Sequence, residues 1–512
     1  MKRFAPRAVI VLLLLSLVAV CQRAAPHPLR FEVTISRTLG TSPVSGRLLV
    51  LLSTREPHQG FLTPGFGDTA RETWIAAHEI DGVVPGQSVA VDADELAFPA
   101  PLSTAPPGDY YAMAILDVNH NAAYRFFTAG DLRMKAISLG PFNPRTAGSV
   151  RLTLNERVPQ PRTESLPQGM EWVDFISPLL SHFYGRPIHM RAVVVLPPSY
   201  SDKSRHFPTV YLVPGFGATA DDLPSAFGQE LLNEMSDRRV PEMIYVLLDE
   251  SLRTGTHEFA DSVNNGPWGT ALVSELIPWL ESKYRMDAKP EERFLTGHSS
   301  GGWATLWLQI THPEFFGGTW STSPDPVDFR NFTGPDIVDA TPGSNFYLKP
   351  DGTPWMLVRM HGKDVESLRD YARQERVLGD YGGQMSSFEW VFSPRGDGGR
   401  PLPLFNRVTG EIDPAVAHAW EKFDISRILR DNWSTLGPKL KGKIHIYVGT
   451  ADSFHLETSV GLLDQQLKNL GADAEVTYVP GRNHFDLYDG GLSIQIAREI
   501  YAVAHAHNHR QP

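Results

Sequence analysis

Cysteine is all but missing from this 512-residue chain: there is one, Cys21. No internal disulfide is available, so the fold must be held by its apolar core, which a chain of this length can build. Clusters of Lys and Arg are missing as well. With 47 basic against 58 acidic residues and a formal net charge of −11, the chain lacks the basic stripe that binds phosphate backbones, which argues against a nucleic-acid partner. Long apolar runs are absent except at Ala8–Val20, and those 13 residues are too few to span a bilayer comfortably. What remains, 42% hydrophobic and 21% charged residues, is the composition of a globular protein of two or three domains.

Three basic residues precede the apolar run, so residues 1–25 read as a signal peptide or lipoprotein signal and the protein as exported: periplasmic, membrane-anchored or extracellular. Cys21 directly after the run resembles the lipobox of bacterial lipoproteins, in which that cysteine carries the lipid anchor; Val20 departs from the pattern. The alternative is ordinary cleavage after Ala24 or Ala25, with Cys21 discarded.

Residues 27–155 alternate apolar and polar positions in short runs such as RFEVTIS, GRLLVLLS, QSVAVDA, DYYAMAILDV and SVRLTLN, separated by turn clusters. That pattern predicts a β-sandwich, Ig-like in class. The Pro-rich, polar stretch 156–165 reads as a linker. Residues 166–512 follow a different grammar. Near-continuous apolar strands (HMRAVVVLPP, TVYLVPG, MIYVLLD, RFLTG, GGTWSTS, KIHIYVG, AEVTYVP) alternate with helices over Trp268 to Tyr284, Gly301 to Thr311 and Leu456 to Leu470. Strands apolar on both faces with crossover helices predict a doubly wound α/β domain. A stretch rich in Gly, Pro and aromatics, about 324–440, reads as a long insertion over the catalytic face.

The chemistry gathers at RFLTGHSSGGWATL, Arg293 to Leu306. GxSxG fits one register only, with Ser299 between Gly297 and Gly301. A sharp strand-to-helix turn strains the serine backbone and brings the positions two before and two after it together, so both must be small. Ser300 has His298 at its −2 position, which leaves Ser299 as the nucleophile candidate. A serine needs an imidazole to take its proton and a carboxylate to orient that imidazole. KIHIYVGTADSF places Asp452 just past a strand, and AEVTYVPGRNHFDLY places His484 just past the next. The order Ser, acid, His is that of an α/β-hydrolase.

Asp364 is the alternative acid. WMLVRMHGKDVESLRDYARQERVLG offers a strand, this Asp and a helix, and SFEWVFSPRGDGG a strand beyond, but no histidine follows until His418. The oxyanion of acyl transfer needs two backbone N–H donors. Ser300 supplies one, and Phe216 in the loop YLVPGFGATADD is the candidate for the other, with Gly217 as the alternative. His298, His257, Trp268 and Trp303 are candidate pocket residues, although packing accounts for such side chains more often. His455 and Asp486 flank the acid and base. The tail His505 to His509 could bind a metal, but at a chain terminus disorder is the commoner explanation. DVNHNAAYRF has Asp117, Asn119 and Asn121 in calcium-loop alternation, yet Ala122 replaces the needed Gly and Thr128 the bidentate Glu, so a polar turn is the expectation there.

LTGHSSGGWATLWLQITHPEFFGGTWSTSPDP, together with PTVYLVPGFG, resembles the esterase family of α/β-hydrolases that includes enterochelin-type, feruloyl and acetylxylan esterases, S-formylglutathione hydrolase and the mycolyltransferases. Pro214 stands where relatives often carry His. The likeness runs from about Pro187 to Tyr501 and leaves the N-terminal region uncovered. It implies Ser299, Asp452 and His484 as a triad acting on an ester, small or polysaccharide-linked, with no cofactor and no metal. Acyl transfer to a sugar or lipid alcohol, peptide hydrolysis, and a non-catalytic carbohydrate-binding role are the rival functions.

Overall fold

The computed structural model describes residues 29–160, 165–379 and 381–508. The expected signal at 1–25 with Cys21, residues 161–164 of the expected linker, and His509 of the histidine tail lie outside them.

Residues 30–157 are all-β. Arg30–Ile35 pairs with Ser88–Asp92 and Ser149–Leu154 in a three-stranded sheet, and Val44–Ser53 lies between Thr73–Val83 and Gly108–Asp117 in a larger antiparallel one. Phe31, Val33 and Ile35, at every second position of the first strand, share one buried cluster with Leu49, Leu51 and Met113 of the larger sheet. Thr73–Val83 is absent from the strands expected from sequence; its run Ile75-Ala76-Ala77 is buried throughout and shows little alternation. The same cluster takes in Val377 and Leu378 from the helix Leu368–Leu378 of the insertion, and the Arg47 guanidinium donates to the carbonyls of Arg376 (3.0 Å) and Val377 (3.2 Å). The insertion therefore packs on the β region as well as on the domain that carries it.

A mixed eight-stranded sheet follows: β1 Met170–Ile176, β2 His189–Val195, β3 Thr209–Val213, β4 Ile244–Leu248, β5 Arg293–His298, β6 Gly318–Thr322, β7 Ile444–Gly449 and β8 Ala474–Val479. The spatial order is 1-2-4-3-5-6-7-8. The pairs β1/β2 and β2/β4 are antiparallel and every other pair is parallel, an arrangement consistent with an α/β-hydrolase domain. All five residues of β4 and of β6 are buried; β4, IYVLL, accordingly reads as an apolar run, whereas β6, GTWST, buries hydroxyls, with Ser321 donating to Gly302 O (2.8 Å) and Thr322 to Gly297 O (2.9 Å). The edge strand β1 escaped the sequence pattern because it is half-exposed, with Trp172 and Ile176 facing outward. The helices that matter for the site are α1 Gln229–Ser236, α2 Ser300–Thr311, α3 Gln384–Phe392, α4 Leu456–Asn469 and α5 Leu492–Asn508.

The insertion corrects one expectation. SFEWVF is not a strand but lies in α3, where Phe388 and Phe392, one turn apart, sit on one face with ring centroids 6.0 Å apart. They pack against Phe332 and Trp420, so tertiary contact overrides the β propensity of the run. Met356–Met360 and Lys363–Ser367 form a separate two-stranded hairpin outside the main sheet.

Candidate active site

Ser299 sits between β5 and α2 with φ 59° and ψ −122°, backbone angles costly for any residue with a Cβ. Its N–H donates to Thr322 O on the neighbouring strand (3.0 Å), and its carbonyl accepts from Trp303 N (3.0 Å) and Asp325 N (3.1 Å). The close approach that demanded glycines is visible in the backbone. A Cβ on Gly297 would lie 2.2 Å from Gly301 O, and one on Gly301 would lie 2.1 Å from Val213 O and 2.3 Å from Pro214 O. Neither position admits a side chain.

At the ends of β7 and β8, Asp452 and His484 are joined by a hydrogen bond, Nδ1 to Oδ2 at 2.9 Å, with side chains 0% and 5% exposed. Burial opposes ionisation of Asp452. The charge of His484 and hydrogen bonds from His484 and the Phe454 N–H outweigh it and hold the carboxyl below its ordinary value. With Nδ1 engaged on the carboxylate, the free nitrogen is Nε2, the arrangement a general base requires. Phe454 and Phe485 set their rings edge-on to the imidazole, with centroids 4.8 and 5.5 Å away. Ser299 Oγ has Asp325 Oδ1 at 3.5 Å; among the described residues no hydrogen bond links it to His484.

Asp325, which the sequence motifs did not single out, lies three residues past β6. Ser300 Oγ donates to its Oδ2 at 2.6 Å and Gln384 Nε2 at 3.1 Å. Burial pushes this carboxyl up to about 6, against the hydrogen bond from Ser300. The only advance signal was its place in STSPDP at a strand end of the catalytic face. Gln384, at the start of α3, also escaped notice.

The remaining candidates divide. His298 is at the site: its ring lies 4.4 Å from that of His484 and its Nδ1 3.1 Å from Thr322 Oγ1, and burial together with the charge of His484 pushes it down to about 3. His257 is fully buried, stacked on Trp268 at 3.8 Å, and its Nδ1 accepts from Phe259 N at 3.1 Å. Burial drives its pKa well down, so it is a neutral packing residue, and Trp268 is its partner in the core rather than a pocket wall. Trp303 stacks on Trp307 at 5.2 Å inside the aromatic core of the insertion. Asp364 stands in the hairpin, half-exposed, with His455 Nε2 3.1 Å from its carboxylate; the acid facing His484 is Asp452.

Phe216 is in the loop after β3, where Gly217 has φ 93°. That loop is gripped from the β region. Tyr124 sets its ring edge-on to Phe216 at 4.8 Å and donates its hydroxyl to Ala218 O at 2.6 Å. Arg125 binds Asp222 through two nitrogens, at 2.6 and 3.0 Å, and Thr219 Oγ1 at 2.8 Å. Both grips come from the expected polar turn. There Asp117 and Asn119 are spent on the turn itself, accepting from Ala122 N (2.8 Å) and donating to Thr128 Oγ1 (2.9 Å) respectively. Among the described residues no group of three or more His, Cys, Asp or Glu is placed to hold a metal ion.

A family model described as "Putative esterase" matches residues 185–493, the stretch holding the elbow, the acid and the histidine. The chain belongs to this esterase family. Its similarity to individual members is partial. It is 27% identical over 147 residues to the uncharacterized protein YbbA of Bacillus subtilis (strain 168), 26% of this chain and 56% of that one. To Esterase Rv1288 of Mycobacterium tuberculosis (strain ATCC 25618 / H37Rv) it is 28% identical over 143 residues, 28% of this chain and 30% of that one. The chain thus spans about half, or less, of the length of these curated relatives. Among solved structures, a ferulic acid esterase overlaps 65% of this chain and 98% of its own at 13% identity and a TM-score of 0.41. The corresponding values for an S-formylglutathione hydrolase from Agrobacterium tumefaciens are 67%, 98%, 15% and 0.40.

Proposed function

We propose that this protein hydrolyses carboxylic esters through an acyl-enzyme. Ser299 Oγ leaves its long contact with Asp325, passes its proton to His484 Nε2 and attacks the ester carbonyl. The tetrahedral oxyanion is held by the backbone N–H groups of Ser300 and Phe216. His484, kept in orientation by Asp452, then gives its proton to the departing alkoxide. In the second half of the cycle it takes a proton from water, which attacks the acyl-serine, and returns that proton to Ser299 Oγ as the acid is released. The observation that carries the reading is the 2.9 Å Asp452–His484 pair beside a serine with φ 59° at the same end of one sheet. A binding scaffold has no use for a strained serine and a buried carboxylate–imidazole hydrogen bond together.

Hydrolysis of p-nitrophenyl acetate by the wild type and by Ser299→Ala tests it, with labelling of Ser299 by an alkyl fluorophosphonate as a second readout. Turnover and labelling in the wild type, both lost in the variant, are expected. Background rates in both proteins would overturn the reading. The basic residues and apolar run at the start of the chain support an exported enzyme; N-terminal sequencing of mature protein from an exporting host tests that, and would also show whether Cys21 is retained.

A further inference from the structure

One face of the main sheet is incompletely covered beside the catalytic end. A cavity of about 400 Å³ lies there between α1 and α5, over β3, β4 and β5. β3 has a strand on each side, so its apolar residues should be sealed by the helix layer. Val210 is fully buried, but Leu212, two positions along on the same face, is only half-buried, as are Phe227, Leu231 and Ile494 opposite it. Protein interiors leave few gaps larger than a water molecule, so an apolar space of this size beside the proposed site is a candidate ligand pocket. Tyr245, which also lines the space, has a buried hydroxyl with no hydrogen-bond partner among the described residues.

The inner end of the cavity meets the proposed site. His298, His484 and Gly215 line it there, and a Cβ built on Gly215 would lie 3.9 Å from Ser299 Oγ. Toward the surface the lining ends in Glu230, which is exposed, and Glu234, which pairs with Arg239. The Glu230 carboxylate at that end disfavours a ligand with an anionic tail, the charge of Glu234 being balanced by Arg239. Aliphatic side chains such as Leu212, Leu231 and Ile494 share the walls between with the rings of Phe227, Phe485 and Tyr488. We propose that the cavity holds the hydrocarbon arm of the ester, an unbranched, uncharged aliphatic chain of medium length, and so selects such esters over acetates of small alcohols. This rests on the ester-hydrolase reading. The volume falls within the range of small-molecule sites, roughly 300–1,000 Å³.

Two substrate series decide which side of the ester the chain is on: p-nitrophenyl esters from acetate to dodecanoate, and acetate esters of alcohols from ethanol to dodecanol. The expected result is kcat/KM at least tenfold higher at eight carbons than at two in one series. Ala226→Trp places a bulky ring at an exposed position of the lining, and Ile494→Trp plugs the opposite wall should the first variant fail to fold. A plug that melts like the wild type should cut the eight-to-two ratio tenfold or more. A wild type that prefers two carbons in both series, or a ratio that folded plugs leave unchanged, would overturn the proposal. Fluorophosphonate labelling of Ser299 without any chain preference removes this inference and leaves the hydrolase reading standing. If labelling and turnover both fail, titration of Ser299→Ala with decan-1-ol judges the cavity alone: saturable binding lost on adding Ala226→Trp supports it, and no binding overturns it.

Discussion

Ser300 donates its hydroxyl proton to Asp325 Oδ2 across 2.6 Å, while Ser299 reaches the other oxygen of the same carboxyl at 3.5 Å. One buried acid thus ties both serines of the elbow. The side chain of Ser300 is structural in this arrangement, and in the proposed mechanism only its backbone N–H takes part. Ser300→Ala should cost about 1–3 kcal/mol of stability, the loss of a buried hydrogen bond to an acid, and retain most of the ester turnover. Ser299→Ala should lower turnover by about 10³-fold or more. Urea midpoints and p-nitrophenyl acetate rates on both variants check the contrast.

Asp325 also sets a pH dependence. Its carboxyl is pushed up to about 6 from 3.8, chiefly by burial, so the folded protein holds a proton that the unfolded chain releases. Stability conferred by that proton is full below about pH 4 and is lost as pH rises through about 6. Asp325→Asn abolishes the titration. The stability of the wild type relative to this variant should therefore decline by up to about 3 kcal/mol between pH 4 and 6, a shift of roughly two pH units at 1.36 kcal/mol each, read from denaturant midpoints at several pH values.

The two candidate acids separate sharply. Asp452 is fully buried against His484, and Asp452→Asn should lower kcat by about 10⁴-fold, as expected when the imidazole loses its orienting charge. Asp364 is half-exposed beside His455, and Asp364→Asn should change stability by no more than about 0.5 kcal/mol and leave turnover near the wild type. Steady-state rates of the pair decide between them.

The grip of Tyr124 and Arg125 on the loop 216–222 would make the β region part of the proposed catalytic apparatus, because that loop carries Phe216, the proposed second oxyanion donor. Arg125→Ala removes three hydrogen bonds to Asp222 and Thr219. As a half-buried ion pair it should cost only about 1 kcal/mol of stability, yet lower kcat by about tenfold with KM little changed, since a displaced donor weakens the transition state more than the bound ester. Arg125→Lys should recover part of the loss. Separate kcat and KM values for the two variants test the role.

Gly301 has no room for a methyl group: its Cβ would meet two backbone carbonyls at 2.1 and 2.3 Å. Gly301→Ala should destabilise by about 2 kcal/mol or more through overpacking, or fail to yield soluble protein. Expression level and thermal melting beside Ser300→Ala, which alters the adjacent residue without a clash, provide the comparison.

The elbow, the buried strands and the Ser, Asp, His order were legible along the chain because each depends on neighbours close in sequence. Gly297 and Gly301 frame Ser299 within five residues, and β4 reads as an apolar run, IYVLL, because all five of its residues are buried. Other features arise from residues far apart. SFEWVF becomes helical because Phe388 and Phe392 meet Phe332 and Trp420, Asp325 gains its role when the fold brings it to Ser300 and Gln384, and Arg125 finds Asp222 across the seam between the β region and the hydrolase domain. His257, Trp268 and Trp303 moved from candidate pocket to core for the same reason: burial is a property of the assembled layers, and local pattern carries backbone strain and periodicity but not the identity of a distant partner.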